Sequence, residues 1–438
     1  MKPKQKSFLQ NLDWVTTILP FGCITLLCCL FMIFPEGSAN ILASIRFFLG
    51  DQLGSYYLLM GLGAVICSLY MAFSRFGSIK LGDVEKPQYT AFQWGSMMFT
   101  AGLAADILFY SLCEWMLYAD ESHISEMGSI QDWTSVYPLF HWGPIPWSFY
   151  IILAVAFGFM IHVRRRNKQK YSEACRPLLG KKVDGKLIDL TAVFALLAGT
   201  ATTFSLATPL LSMALSKVLG VAETPLLTIA ILVIICIVYT LAVYFGMQGV
   251  TRLAASCIYL FFVLLAYFLF LGGQTRYIIE TGITAIGLLT QNFISLATWT
   301  DALRTSSFPQ NWTIFYWAYW MVWCVATPFF IGTISKGRTI RQTVLGGYFF
   351  GLAGTFTSFI ILGNYGLGLQ THGILDLMGL YRETGDLYQA IIAVFETMPA
   401  ARFGLILLAV TMIAFYATTF DALTMVASSY SYRSLDAD

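Results

Sequence analysis

Apolar runs about as long as a membrane is thick, separated by short polar stretches, recur along the whole 438-residue chain. A hydrocarbon core about 30 Å thick takes roughly 20 apolar residues per helical span. Ten segments meet that requirement, at 15–34, 55–73, 93–118, 147–163, 187–214, 225–245, 254–271, 313–334, 343–363 and 403–426. Two more, at 276–300 and 373–397, are apolar but broken by Glu, Gln, Asn and Asp. They are expected as interfacial or re-entrant helices on the outer side, between spans seven and eight and between nine and ten. The predicted fold is an all-α polytopic membrane protein.

Charge orients the spans. Lys2, Lys4 and Lys6, then Arg75, Lys80 and Lys86, then Arg164, Arg165, Arg166, Lys168 and Lys170, then Arg252, then Lys336, Arg338 and Arg341 all fall on one side. The opposite loop, 119–146, holds Asp120, Glu121, Glu126 and Asp132 with no Lys or Arg. Basic loops stay cytoplasmic, so the N-terminus is expected inside, at the inner (plasma) membrane, and ten spans return the C-terminus there.

Composition agrees with this picture. Only 11% of residues are charged and 57% are hydrophobic, with mean hydropathy +0.69, against about 25% charged in a soluble domain. Too little polar surface remains to coat a soluble globule. The net charge of +2 implies no nucleic-acid partner, because the basic residues sit in short loops. Nine cysteines are scattered without a CxxC pair, which reads as buried small hydrophobes. The basic N-terminus leads into a run too long for a signal peptide and without a small-residue cleavage site, so a retained first helix is expected. An enzyme is not indicated: HExxH and GxSxG are absent, and His123, His141, His162 and His372 form no cluster in the sequence.

Three groups of residues are expensive or unusual where they stand. Asp106 lies in the third span after Ala101-Gly102-Leu103-Ala104-Ala105, and that span contains no Lys or Arg. A carboxylate at mid-bilayer costs about 2.5–3.5 kcal/mol or more unless it faces a cavity or a partner. It is either a counter-charge for a bound cation or a protonated, hydrogen-bonded structural group. Aromatic residues cluster in Phe140-His141-Trp142-Gly143-Pro144-Ile145-Pro146-Trp147, with Tyr150 following, and in Trp317, Trp320 and Trp323, spaced by three and expected on one helix face. Rings at a membrane interface explain Trp312 and Trp317, but Trp323 lies about 15 Å deeper than Thr313. A cage of such rings holds a quaternary ammonium group by cation–π attraction, about 0.5–2 kcal/mol per ring. Finally, Thr418-Thr419 in span ten, near Phe415, offers paired hydroxyls that either coordinate sodium or bond back to their own helix.

At these residues the chain closely resembles the betaine/choline/carnitine transporter family. The resemblance is carried by Thr313-Ile314-Phe315-Tyr316-Trp317-Ala318-Tyr319-Trp320, by Ile334-Ser335-Lys336-Gly337-Arg338-Thr339-Ile340-Arg341, by Phe140–Trp147 and by Phe204-Ser205-Leu206-Ala207-Thr208-Pro209. It implies a LeuT-like architecture of two inverted five-helix repeats in one transmembrane domain. Residues 1–90 would form two peripheral spans, 91–272 the first repeat, and 313–438 the second. It further implies a homotrimer, alternating access, and a small quaternary ammonium substrate such as choline, betaine or carnitine, with membrane lipid around it. The substrate box it implies is Trp142, Trp147 and Tyr150, faced by Tyr319, Trp320 and Trp323, with Asp106 nearby. Choline carriers are similar in having Asp where betaine carriers have Gly. No cofactor is implied beyond a coupling ion. Sodium would be held by Thr418 and Thr419 with carbonyls of Thr100, Leu103 and Phe415. The family's sodium-independent exchangers place Arg and Met where this chain has Cys257 and Thr327, so sodium symport leads over proton symport and exchange. A receptor that binds the amine without moving it is the rival of a different class, and the sequence supplies no appended signalling domain for it. Val325–Pro328 depart from the family pattern, which bears on substrate contacts. The chain stops after span ten where relatives carry two more, so a second repeat of three helices in a truncated form is expected.

Overall fold

The computed structural model describes residues 11–102, 104–166, 170–180, 183–244 and 246–432. Fourteen principal helices organise them: α1 (Trp14–Ile33), α2 (Gly54–Phe73), α3 (Ala91–Thr100), α4 (Ala105–Ala119), α5 (Ile130–His141), α6 (Pro144–Gly158), α7 (Lys186–Leu219), α8 (Pro225–Tyr244), α9 (Gly246–Leu271), α10 (Thr275–Thr298), α11 (Ile314–Trp323), α12 (Thr327–Ile334), α13 (Ile340–Ser358) and α14 (Ala401–Ser431). Among the described residues there is no strand, only two isolated bridges. Six stretches are long and apolar enough to cross a membrane, and three bent pairs of helices pass the same test together. The chain is therefore a multi-pass all-α membrane protein.

Several expected spans are not simple rods. Span three is α3 and α4, bent by 62° at the break between them, so Asp106 stands in the first turn of a half-helix rather than in mid-helix. Span eight is Pro309–Trp323 and α12, bent by 57°. Its cause is local: Pro328 lacks an N–H and its ring conflicts with the carbonyl four residues back. That carbonyl, of Cys324, accepts the Tyr171 hydroxyl at 2.6 Å instead.

The region expected as a long outer loop, 119–146, is corrected. Ile130–His141 is a helix whose side chains from Trp133 to His141 are buried. At twelve residues, with Pro138 inside it, it was too short and too interrupted to read as a span. α10 turns by 112° from the helix before it, at Gly272-Gly273, and runs across the bundle against α5. The segment expected at 373–397 is two short helices, Leu377–Thr384 and Leu387–Glu396. Gly385, at φ +65°, closes the first, and the Asp386 carboxylate caps the second.

α6 lies at the centre, packed against α2, α12 and α13, while α14 packs against α7 and α9. The basic loops gather at one end. Residues 79–81 pair with 337–340 through Leu81 N–H to Arg338 O (2.8 Å), Gly337 N–H to Leu81 O (2.6 Å) and Ile340 N–H to Ile79 O (2.9 Å). Arg338 donates to Tyr89 O and covers the Trp94 ring, and Arg341 donates to Ala72 O. The two ends of the described chain meet at the same end, where Asp13 N–H donates to Ser431 O at 2.8 Å. The opposite end carries Arg304 on Asp51, Arg382 on Asp120 and Lys217 on Glu396.

Candidate functional site

The turn between α5 and α6 sets the site. Gly143 is needed there because a Cβ would stand 2.2 Å from the Leu139 carbonyl oxygen. Pro144 then starts α6, where its missing N–H costs nothing. Trp142 ends one helix and Trp147 sits in the first turns of the next, within the one stretch 130–163, and both indoles are buried. The Trp147 ring is fully buried in a slot between Gly102 and Gly351.

Opposite stands α11. Trp320 meets Trp142, Trp147 and Tyr150 at ring-centroid distances of 5.4, 5.8 and 5.0 Å. Trp147 and Tyr150 are themselves 5.8 Å apart. All four rings are buried, and Trp320 is the one that meets each of the others. The indole N–H groups of Trp147 and Trp320 are buried with no hydrogen-bond partner among the described residues.

Asp106 lies beside this cluster, buried, with Ile107 N–H on one oxygen at 3.1 Å. Its other oxygen accepts the hydroxyls of Tyr319 and, at 3.3 Å, Thr203. Tyr319 is 6.3 Å from Trp142 between ring centroids, which links the carboxylate to the ring cluster. Among the described residues no Lys, Arg or His pairs with Asp106.

A sequence model described as BCCT, the betaine/carnitine/choline family transporter, matches residues 15–437. The chain belongs to that family. As a betaine/carnitine/choline family member it is a membrane transporter rather than an enzyme, and its family's substrates are small quaternary ammonium compounds.

Within this transporter not every expected site residue joins the cluster. Trp323 is half-buried and lies against Gly199, between the main core and an apolar group of Ala192, Leu196 and Val426. Three residues along an α-helix rotate by about 300°, so each step drifts about 60° off the previous face. Trp317, Trp320 and Trp323 consequently point to three neighbourhoods: Phe140, the ring cluster, and Gly199. Of the expected ion ligands, Leu103 lies outside the described residues. Thr418 and Thr419 both donate to the Phe415 carbonyl at 2.9 Å. Thr100 bonds back to Ser96 and Met97, while Phe99 and Phe415 both pack on Phe261.

Sequence reasoning passed over a second buried carboxylate, Glu114, together with Tyr110, Tyr118 and His141. A signal was available. Asp106, Tyr110, Glu114 and Tyr118 recur every four residues in α4, and that spacing puts a polar stripe on one side of a helix.

Proposed function

We propose that this chain is a secondary active transporter that moves choline, glycine betaine, carnitine or a close relative across the plasma membrane by alternating access, coupled to sodium. The observation that carries the reading is the gathering of Trp142, Trp147 and Tyr150 around Trp320, with the unpaired carboxylate of Asp106 joined to the same cluster through Tyr319. A methylated ammonium group has no N–H to donate, so ring faces and a carboxylate are what can recognise it. The free indole N–H groups of Trp147 and Trp320 are donors for an oxygen on the same ligand. Asp106 supplies negative charge that no cation among the described residues neutralises, which favours choline or another substrate with net positive charge.

One feature supports paired repeats: the helices expected to begin each repeat, spans three and eight, are both bent, by 62° and 57°, and broken helices line transport sites. The same reading puts the basic end of the bundle in the cytoplasm and assembles the protein as a homotrimer.

The hydroxyls of Thr418 and Thr419 donate their hydrogens to the Phe415 carbonyl, which leaves the hydroxyl lone pairs free for a sodium ion. Sodium-independent exchange is the alternative that the same assay separates. The test is uptake of labelled choline, betaine and carnitine into proteoliposomes, with and without a sodium gradient. Uptake of at least one amine that rises with the gradient supports symport. Uptake only against internal substrate supports exchange, and no uptake of any of the three sinks the transport reading.

A further inference from the structure

Beneath the ring cluster runs a buried chain of hydrogen bonds that no transport step described above uses. The Trp142 indole N–H donates to one oxygen of Glu114 at 2.7 Å. The other oxygen accepts the Tyr118 hydroxyl at 2.6 Å. Tyr118 in turn meets His141 Nδ1 at 2.7 Å, and His141 Nε2 meets the Thr313 hydroxyl at 2.9 Å. Glu114, Tyr118 and His141 are shut off from solvent entirely and Thr313 nearly so.

The chain has a direction. Tyr118 owns one hydroxyl hydrogen, so when it donates to Glu114 its oxygen is free to accept from His141 Nδ1–H. His141 Nε2 then carries the lone pair and accepts from Thr313. Every member is satisfied with Glu114 ionised and His141 neutral. Nothing in the chain is left to face the cluster except Trp142 itself.

Its two ends matter most. One is an indole of the ring cluster. The other, Thr313, closes the turn Pro309–Thr313 that leads directly into α11, which carries Tyr319 and Trp320. The two walls of the cluster are therefore tied by one line of hydrogen bonds that bypasses the space between them.

We propose that Glu114 is a positioning residue of the substrate site: it fixes the orientation of Trp142 and, through Tyr118 and His141, ties that orientation to the start of α11. The inference rests on the reading of Trp142 as a wall of the substrate site. When α11 shifts during alternating access, Thr313 moves with it, and the Trp142 ring is held or released accordingly. Affinity thus follows the conformational state without any contact between Glu114 and substrate.

The test compares Glu114→Gln with Glu114→Leu in the purified full chain. Glutamine keeps an oxygen for the Trp142 N–H, and its amide group can donate to Tyr118, whose hydrogen then turns to His141. Leucine fills similar space and accepts nothing. Loss of a hydrogen bond to a charged group in a buried site is expected to lower choline affinity about tenfold in Glu114→Leu, with Glu114→Gln within about threefold of the unmutated protein. Trp142→Phe should lower affinity by itself, and adding Glu114→Leu to it should cost nothing further, because the residue it positions has gone. The strength of the Trp142 indole hydrogen bond is read separately by ultraviolet resonance Raman spectroscopy, which needs no substrate.

Unchanged affinity in folded Glu114→Leu, or losses that multiply in the double variant, overturns the proposal. Should Glu114→Leu not fold, Tyr118→Phe and Thr313→Val interrupt the chain further along. Thr313→Val, which removes one neutral hydrogen bond, should cost about threefold, and Tyr118→Phe, which removes the bonds to both Glu114 and His141, about tenfold; unchanged affinity in both is equally fatal. If the unmutated protein binds none of choline, betaine and carnitine, the transport reading fails instead. The Raman comparison then judges the Glu114–Trp142 link alone, and an indole signal unmoved by Glu114→Leu refutes it.

Discussion

Replacing Gly351 by alanine puts a methyl carbon 2.6–2.7 Å from three carbons of the Trp147 ring. Carbon atoms settle about 3.5–4.0 Å apart, so the ring must retreat by about 1 Å. It has no room to do so. A Cβ on Gly102, in the break between α3 and α4, would stand 2.3 Å from Cζ2 of the same indole, and the ring is fully buried. Over-packing of this kind costs about 1–3 kcal/mol, more than the gain of up to about 1 kcal/mol that alanine brings to a helix interior. If the displaced ring can no longer face substrate, affinity falls about two- to thirtyfold, the worth of one cation–π contact. Gly346 supplies the control. It lies on the same helix, its Cβ would stand 2.2 Å from the Trp94 ring, and Trp94 bonds Ser335 away from the ring cluster. The assay is thermal unfolding beside choline binding measured by tryptophan fluorescence, on both variants. Both should melt earlier, and only Gly351→Ala should lose affinity. If Gly351→Ala binds choline like the unmutated protein, or Gly346→Ala loses as much affinity, the slot around Trp147 does not shape the substrate site.

Asp106→Gly should lower choline binding at least about tenfold while leaving betaine unchanged or improved, because an ionised carboxylate attracts the cation and repels a zwitterion's own carboxylate; parallel losses for both in one preparation would refute the counter-charge role. Thr418→Ala with Thr419→Ala should abolish stimulation of uptake by sodium while leaving weak substrate binding, and stimulation that survives places the ion elsewhere. A cysteine at position 126 should be labelled from outside the cell only; labelling from the cytoplasm alone would invert the topology. Asp301, in the loop before span eight, is buried, which by itself would raise its pKa. The N–H groups of Ser306, Thr305 and Ser307 outweigh that and hold it well below the usual carboxylate range. A depressed value means that this stabilisation is present above the ordinary carboxylate pKa of about 3.9 and disappears only as pH falls through the lower, folded value. Amide protection at 305–307 should therefore persist near pH 4 and be lost in Asp301→Ala, by about 2–3 kcal/mol of local stability; equal protection in both would show that the carboxylate does not organise the loop.

The parts of the molecule legible in the sequence were those where one residue type has one physical use. Long apolar runs made helices, and basic loops collected at one end of the bundle. The Phe140–Trp147 stretch was visible as an aromatic cluster, and Trp142 and Trp147 from it do meet Trp320. Less legible were features made by two segments at once. The half-helix that starts at Ala105 looks continuous in sequence, since Gly102 reads as a small residue until Trp147 is seen lying against it. The threefold spacing of Trp317, Trp320 and Trp323 suggested a common face, yet 3.6 residues per turn swings them apart and sends Trp323 toward Gly199. His141 seemed isolated because its partners, Tyr118 and Thr313, are 23 and 172 residues away along the chain.

The segment that most readily identifies this chain, Ser335 to Arg341, spends its chemistry on backbone. Its glycine, at φ +84°, is packed against Pro87 and Val84, its arginines hold the carbonyls of Tyr89 and Ala72, and its main chain pairs with residues 79–81. None of these contacts reaches the rings around Trp320. Mutational drift could therefore exchange one cargo for another while the diagnostic string stays intact. A catalogue of such carriers sorted by that string would group them by how their loops are fastened, and would mix what they carry.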